Sequence, residues 1–130
     1  MTQTVMVVDD DTDDIEITRR ALEKNGHGVT FTAAPSGEAA LALLRSSAVL
    51  PSLILLDLKM PGMSGIDVLR LIRSDERLKR VPVVVVTNST LDSDRNAALD
   101  AGADGFLHKD FDLDRFGSDI QAQLERWIKD

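Results

Sequence analysis

The sequence predicts a doubly wound α/β fold, in which a five-stranded parallel sheet carries helices on both faces. Three observations carry that prediction. Five short apolar runs, residues 4–8, 29–33, 53–56, 81–86 and 104–107, alternate with helical patterns of near-constant length. The runs are almost continuous Val, Ile and Leu, as in residues 83–86, which suits strands buried on both faces better than half-solvated ones. No Ser/Gly-rich linker, repeat or low-complexity tract interrupts the 130 residues, and 43% hydrophobic content suffices for one core. The expectation is a single domain over residues 1–130 with no output domain, since only three residues follow Trp127.

The elements follow in order. The first run leads into Asp9-Asp10-Asp11 and then a helix whose face is marked by Ile15 and Leu22, with Gly26 placed to close it. After the second run, Ala40, Leu43 and Leu44 mark the second helix face. The third run stops at Asp57. Ser64-Gly65-Ile66-Asp67, a hydroxyl followed three residues on by an acid, starts the third helix, with Leu69 and Ile72 on its face. The fourth run stops at Thr87, and Ser89-Thr90-Leu91-Asp92 repeats the capping pattern before a helix that Gly102 closes. The fifth run leads to Lys109 and a last helix with Leu113, Phe116, Ile120, Leu124 and Trp127 on one stripe.

Composition removes several functions. A net charge of -7 opposes direct nucleic-acid binding, which needs a basic patch. With no cysteine, neither a disulfide nor a thiolate metal site is available. The N-terminus lacks a basic residue and leads into only four apolar residues, too few for a signal-peptide core, and no apolar stretch is long enough to span a membrane. A cytoplasmic protein is expected.

Chemistry is expected at the carboxyl ends of the strands, where such sheets bind ligands. Asp9-Asp10-Asp11, Asp57, Thr87 and Lys109 all fall there. Each has an ordinary reading alone: Asp11 or Thr12 as a helix cap, Asp57 as a turn residue, Thr87 as a strand residue, Lys109 as surface. Together they make a site. Two carboxylates about 5 Å apart repel by roughly 3 kcal/mol at an effective dielectric near 20, so converging acids need a cation. Lys109 supplies one positive charge, and an all-oxygen donor set suits Mg²⁺ better than Zn²⁺ or a full Ca²⁺ cage. An acid beside Mg²⁺ with a hydroxyl and a Lys is equipped for phosphoryl transfer.

These residues resemble the receiver domain of response regulators, and the likeness to single-domain chemotaxis regulators covers essentially the whole chain. It is carried by Val7-Val8-Asp9-Asp10, by the run from Leu55 through Asp57 and Met60-Pro61-Gly62-Met63 to Gly65, by Val81-Pro82 through Thr87, by Ala101-Gly102-Ala103-Asp104-Gly105-Phe106, and by Lys109. The resemblance implies a flavodoxin-like strand order 2-1-3-4-5. It implies Asp57 as phosphoacceptor; Asp9, Asp10, Asp57 and the backbone carbonyl of Lys59 as Mg²⁺ ligands; Thr87 as donor to the phosphoryl group; Lys109 as its ion-pair partner; and Thr87 with Phe106 as the switch pair. Asp11 stays a helix cap. Where the family usually has Pro after the Lys, often cis, Asp110 stands here, and Asn88 replaces a small residue after Thr87. Asp110 bears on the peptide geometry after Lys109, and the larger Asn88 is expected to narrow access to Asp57 or slow loss of the phosphoryl group. Lys59 adds a cation at that mouth, read either as a solvated surface Lys or as an influence on dephosphorylation.

Other folds that use a strand-end acid fit less well. A haloacid-dehalogenase-type phosphatase needs a second acid where Lys59 stands, and a flavodoxin would set its flavin phosphate against three carboxylates in a chain with no Tyr. The rival within the same fold is a pseudo-receiver, or a phosphate sink without its own output. The expected partners are a sensor histidine kinase and a downstream protein target. The Asp10-Asp11 run, Leu78-Lys79-Arg80-Val81-Pro82 and Asp112-Leu113-Asp114-Arg115-Phe116 also resemble, more loosely, regulators paired with phytochrome-type kinases. That likeness implies a homodimer through the fourth helix, fifth strand and fifth helix.

Overall fold

Continuous Val, Ile and Leu runs can leave water only by being covered from both sides, and that is the architecture seen. The computed structural model describes residues 3–25, 28–109 and 112–128. The elements are β1 (Gln3–Val8), α1 (Thr12–Asn25), β2 (Val29–Ala34), α2 (Gly37–Ser46), β3 (Leu53–Asp57), α3 (Gly65–Ser74), β4 (Val83–Thr87), α4 (Asp92–Asp100), β5 (Gly105–His108) and α5 (Leu113–Trp127). The strands form one sheet in the order β2-β1-β3-β4-β5, with every neighbouring pair parallel, as expected. Alternate residues of each strand face opposite layers. Met6, Val8, Ile54, Leu56, Val83 and Val85 pack under α2 and α3, while Val5, Val7, Leu53, Leu55, Val84 and Val86 pack under α1 and α5. Every residue of β3 and β4 is buried.

Two of the three helix starts that the sequence marks are held by the expected residues. Asp11 Oδ1 accepts from the backbone N–H of Asp13 and Asp14 at 2.9 and 3.2 Å, so Asp11 is the cap of α1. Ser64 and Asp67 form the expected capping box of α3. Three side-chain placements on the helices need correction. Ser89 does not cap α4, which starts with Leu91 at its N-cap position and no side-chain hydrogen bond there; Ser89 bonds elsewhere, as described below. Leu43 lies on the outer side of α2, 37% exposed, and Leu41 takes its place in the core. Leu113 is 62% exposed, because the buried stripe of α5 begins one turn later, at Phe116. The closing role given to Gly26 and the departure at Asp110 lie outside the described residues.

β4 begins at Val83 instead of residue 81, since Pro82 has no N–H for the ladder. The first N–H of β4 is taken by a side chain: Val83 donates to Asp104 Oδ2 at 2.9 Å. Arg73, at the end of α3, binds the same carboxylate through Nη2 at 2.7 Å. Its other nitrogens donate to the carbonyls of Gly102 (2.9 Å), Lys79 (3.1 Å) and Val81 (2.8 Å). Gly102 closes α4 at a φ of 107°, and a Cβ there would stand 2.9 Å from Arg73 Cγ. The left-handed turn and the close approach both call for glycine.

Replacing Arg73 with Met removes four charge-assisted hydrogen bonds joining three segments and is expected to lower stability by about 2 kcal/mol or more. Arg70→Met, an exposed position on the same helix, is expected to stay within about 0.5 kcal/mol of the native chain. Urea unfolding of both variants checks the pair, and equal loss in the two would show that the Arg73 clamp adds nothing.

Candidate functional site

Parallel strands put their carboxyl ends on one edge, and the register fixes which residues meet there. Val8 pairs with Leu56, Asp57 with Val86, and Thr87 with His108, so Asp9, Asp57, Thr87 and Lys109 arrive side by side at the ends of β1, β3, β4 and β5. Asp9, Asp57 and Thr87 are buried, with Thr87 fully enclosed, whereas Asp10 is exposed. Carboxylate oxygens of Asp9, Asp10 and Asp57 lie within 4.8 Å of one another. Three converging oxygen donors, one open to water, fit a hard divalent cation.

Local structure holds each group. Asp9 Oδ1 accepts from the N–H of Asp11 at 3.0 Å, which turns the chain from β1 toward α1. After Asp57 the chain folds back, and Gly65 N–H donates to the carbonyl of Leu58 at 3.0 Å. A Cβ on Gly65 would stand 2.3 Å from the Asp57 carbonyl oxygen, so only glycine lets the first turn of α3 sit this close behind the acid. A backbone hydrogen bond from Lys59 reaches the Asp57 carboxylate. The N–H of Lys109 donates to the carbonyl of Thr87 at 2.8 Å, continuing the ladder one step beyond the strand.

Lys109 Nζ lies 2.8 Å from Asp9 Oδ2, 2.8 Å from Asp14 Oδ2 and 3.7 Å from Asp57 Oδ1. Burial works to lower the pKa of this ammonium, but hydrogen bonds to Asp14 and Asp9 and the charge of Asp57 outweigh it and hold the group above the usual lysine range. Burial raises Asp57; the Lys109 charge offsets part of this and the Asp9 charge adds to it, leaving the carboxyl at about 7.

The expected site residues Asp9, Asp10, Asp57, Thr87 and Lys109 therefore converge. Phe106 stands back from them, half-buried beside the core layer that α3 and α4 cover. The Lys59 side chain is 66% exposed, as the solvated-surface reading expects, and its ammonium lies 3.3 Å from Asp94 Oδ2 on α4. Asp94 also accepts from the Ser89 hydroxyl at 2.5 Å, and Ser89 N–H donates to Thr87 Oγ1 at 3.2 Å. Asn88 is exposed and borders, with Asp14 and Lys109, a cavity of about 270 Å³. Asp14 was not marked by sequence reasoning, because an acid in the first turn of a helix is expected from the helix dipole alone.

Comparison with known proteins gives a consistent result. The response regulator receiver domain family matches residues 5–121. The DNA-binding response regulator MtrA of Mycobacterium tuberculosis is 36% identical over 126 residues, which are 97% of this chain and 52% of MtrA, so the chain spans about half the length of that relative. The crystal structure of the phosphorylated cyanobacterial phytochrome response regulator RcpA superposes with a TM-score of 0.91 at 30% identity, covering 99% of this chain and 96% of RcpA. The Mn²⁺-bound form of the response regulator Rcp1 superposes with a TM-score of 0.86 at 28% identity, covering 98% of this chain and 95% of Rcp1.

A carboxyl raised from 3.8 to about 7 holds its proton more tightly when folded than when unfolded. In metal-free protein its contribution to stability is full below about pH 4 and is lost as the pH rises through about 7. The Tm difference between the native chain and Asp57→Asn is expected to shift against the native chain across that range. Divalent metal must displace the same proton, so the rise in Tm on adding millimolar Mg²⁺ is expected to grow toward pH 8. A flat Tm difference, with no effect of Mg²⁺, would contradict both statements.

Proposed function

The chain belongs to the response regulator receiver domain family, and on that premise we propose that it takes a phosphoryl group from a sensor histidine kinase onto Asp57 and passes the signal on by protein contact. The observation that carries this reading is the meeting of a buried strand-end carboxylate with two further acids, an enclosed hydroxyl and a half-buried ammonium. An Asp57 oxygen attacks phosphorus, and the bond to the phosphohistidine nitrogen breaks as the new acyl phosphate bond forms. Asp9, Asp10, Asp57 and the Lys59 carbonyl would hold Mg²⁺. The bound ion supplies neutralisation of charge on the transferred group. Thr87 and Lys109 offer the protein's own donors to its oxygens, and Phe106 follows Thr87 as the second half of the switch.

The reading extends to location and partners. A cytoplasmic receiver filling residues 1–130 is consistent with the absence, among the described residues, of a helix long and apolar enough to cross a membrane. The likeness to RcpA favours a phytochrome-type kinase as donor. A homodimer through α4, β5 and α5 fits the exposed Leu91, Leu99 and Leu113 on those two helices and their approach. The acidic chain is not expected to bind nucleic acid itself.

Intact mass after incubation with acetyl phosphate is expected to show one added phosphoryl group with Mg²⁺ and none without it. Asp57→Asn, which keeps the size of the side chain but is a poor nucleophile, is expected to take none from acetyl phosphate or a phosphohistidine donor. Uptake by Asp57→Asn at the native rate would remove Asp57 as acceptor. No uptake by the native chain under any condition would leave an interaction module of the same fold.

The route of the signal is expected to run through α4. Ala98 is the one buried residue of this helix, Leu91 and Leu99 are 60% and 42% exposed, and its first turn has no side-chain cap. Weak packing permits a second arrangement. Amide hydrogen exchange with and without beryllofluoride is expected to change more in residues 88–101 and 104–109 than in residues 38–45. Equal change in all three segments would sink this route.

A further inference from the structure

Lys109 is not centred among its carboxylates. An ammonium has three donors, and two of them reach Asp9 and Asp14 at 2.8 Å, whereas Asp57 at 3.7 Å is beyond hydrogen-bond length. Asp14 itself is firmly placed. Its N–H is capped by Asp11, and its carbonyl accepts from the Thr18 hydroxyl at 2.9 Å, which fixes the first turn of α1 against the site. Its side chain is 29% exposed, so water can replace the contact when the pair opens.

From this geometry we propose that Asp14 is a positioning residue that holds Lys109 on the α1 side of the acid cluster, away from the Asp57 oxygen, in the resting protein. The consequence is twofold. The Asp57 oxygen stays without a lysine hydrogen bond and remains open to a cation and to the incoming group. Lys109 turns to Asp57 only when a group of greater negative charge there competes with Asp14. The part concerning metal rests on the function proposed above, whereas the placing of Lys109 does not.

Two measurements separate these parts. In metal-free protein, the side-chain ammonium resonance of Lys109 is expected to move on Asp14→Asn. Asp57→Asn, which removes a charge 3.7 Å away, is expected to shift it less in the native chain than once Asp14 is Asn, because the lysine has then turned to Asp57. An equal shift in both backgrounds, or a larger one in the native chain, overturns the proposal.

Calorimetric titration with Mn²⁺ is the second measurement. Asp14→Asn is expected to weaken binding roughly threefold to tenfold, as coupled neighbouring charges do, because the released lysine competes for the acids. Asp13→Asn, an equal loss of charge on the same turn, is expected to change it less, and in a Lys109→Met background Asp14→Asn is expected to have no effect. A loss that persists in that background is a general field effect and overturns the proposal, as does unchanged or tighter binding in Asp14→Asn itself. If the native chain binds no Mn²⁺ while the resonance pattern holds, the metal reading fails and the placing of Lys109 stands.

Discussion

One ammonium set among three carboxylates governs the working edge of this protein. Asp9 and Asp57 are both buried, and two such charges close together repel strongly once water is excluded. Lys109 offsets that repulsion, yet its own position depends on the sheet. Its N–H bonds to the Thr87 carbonyl only because β5 pairs in register with β4, and Asp57 meets Asp9 only because β3 lies between β1 and β4. A slip of one residue in any of these pairings would turn the charged side chains to the opposite layer and leave an unpaired buried acid. The electrostatics and the register therefore enforce each other.

Packing is uneven around the site. The ends of β1 and β3 are gripped from both faces by fully enclosed Leu, Ile and Val, and α3 sits hard against the Asp57 backbone through Gly65. The acids are thus presented by the most rigid part of the molecule. On the other side of the site, Thr87, Ser89, Asp94 and Lys59 form a chain of polar contacts from β4 across the start of α4 to the loop after β3. Polar contacts near the surface reform easily, whereas buried apolar layers do not.

The fold and the principal acids were legible because each rests on a strong local signal. Continuous Val runs such as residues 83–86 suit only doubly covered strands, and Asp57 follows such a run directly. Signals that depend on tertiary context were misleading. Leu43 fits the helical spacing as well as Leu41, and only the rotation of α2 on the sheet decides between them. Ser89 has the spacing of a cap, yet Asp94 captures its hydroxyl. Asp14 was hidden because its partner Lys109 is 95 residues away, and no pattern within α1 reports that contact.

The Arg73 clamp also decides how α4 is able to move. Its carboxyl end is fastened at Gly102, where the guanidinium joins the end of α3, the approach to β4 and the start of β5. Its amino end is held mainly by side-chain polar contacts. A rod anchored at one end behaves as a lever, so a shift of Thr87 under the function proposed above would swing α4 about Gly102 instead of sliding it along the sheet. Displacement would be greatest at Leu91 and Asp92, the end nearest the acid cluster, and smallest beside Ala101.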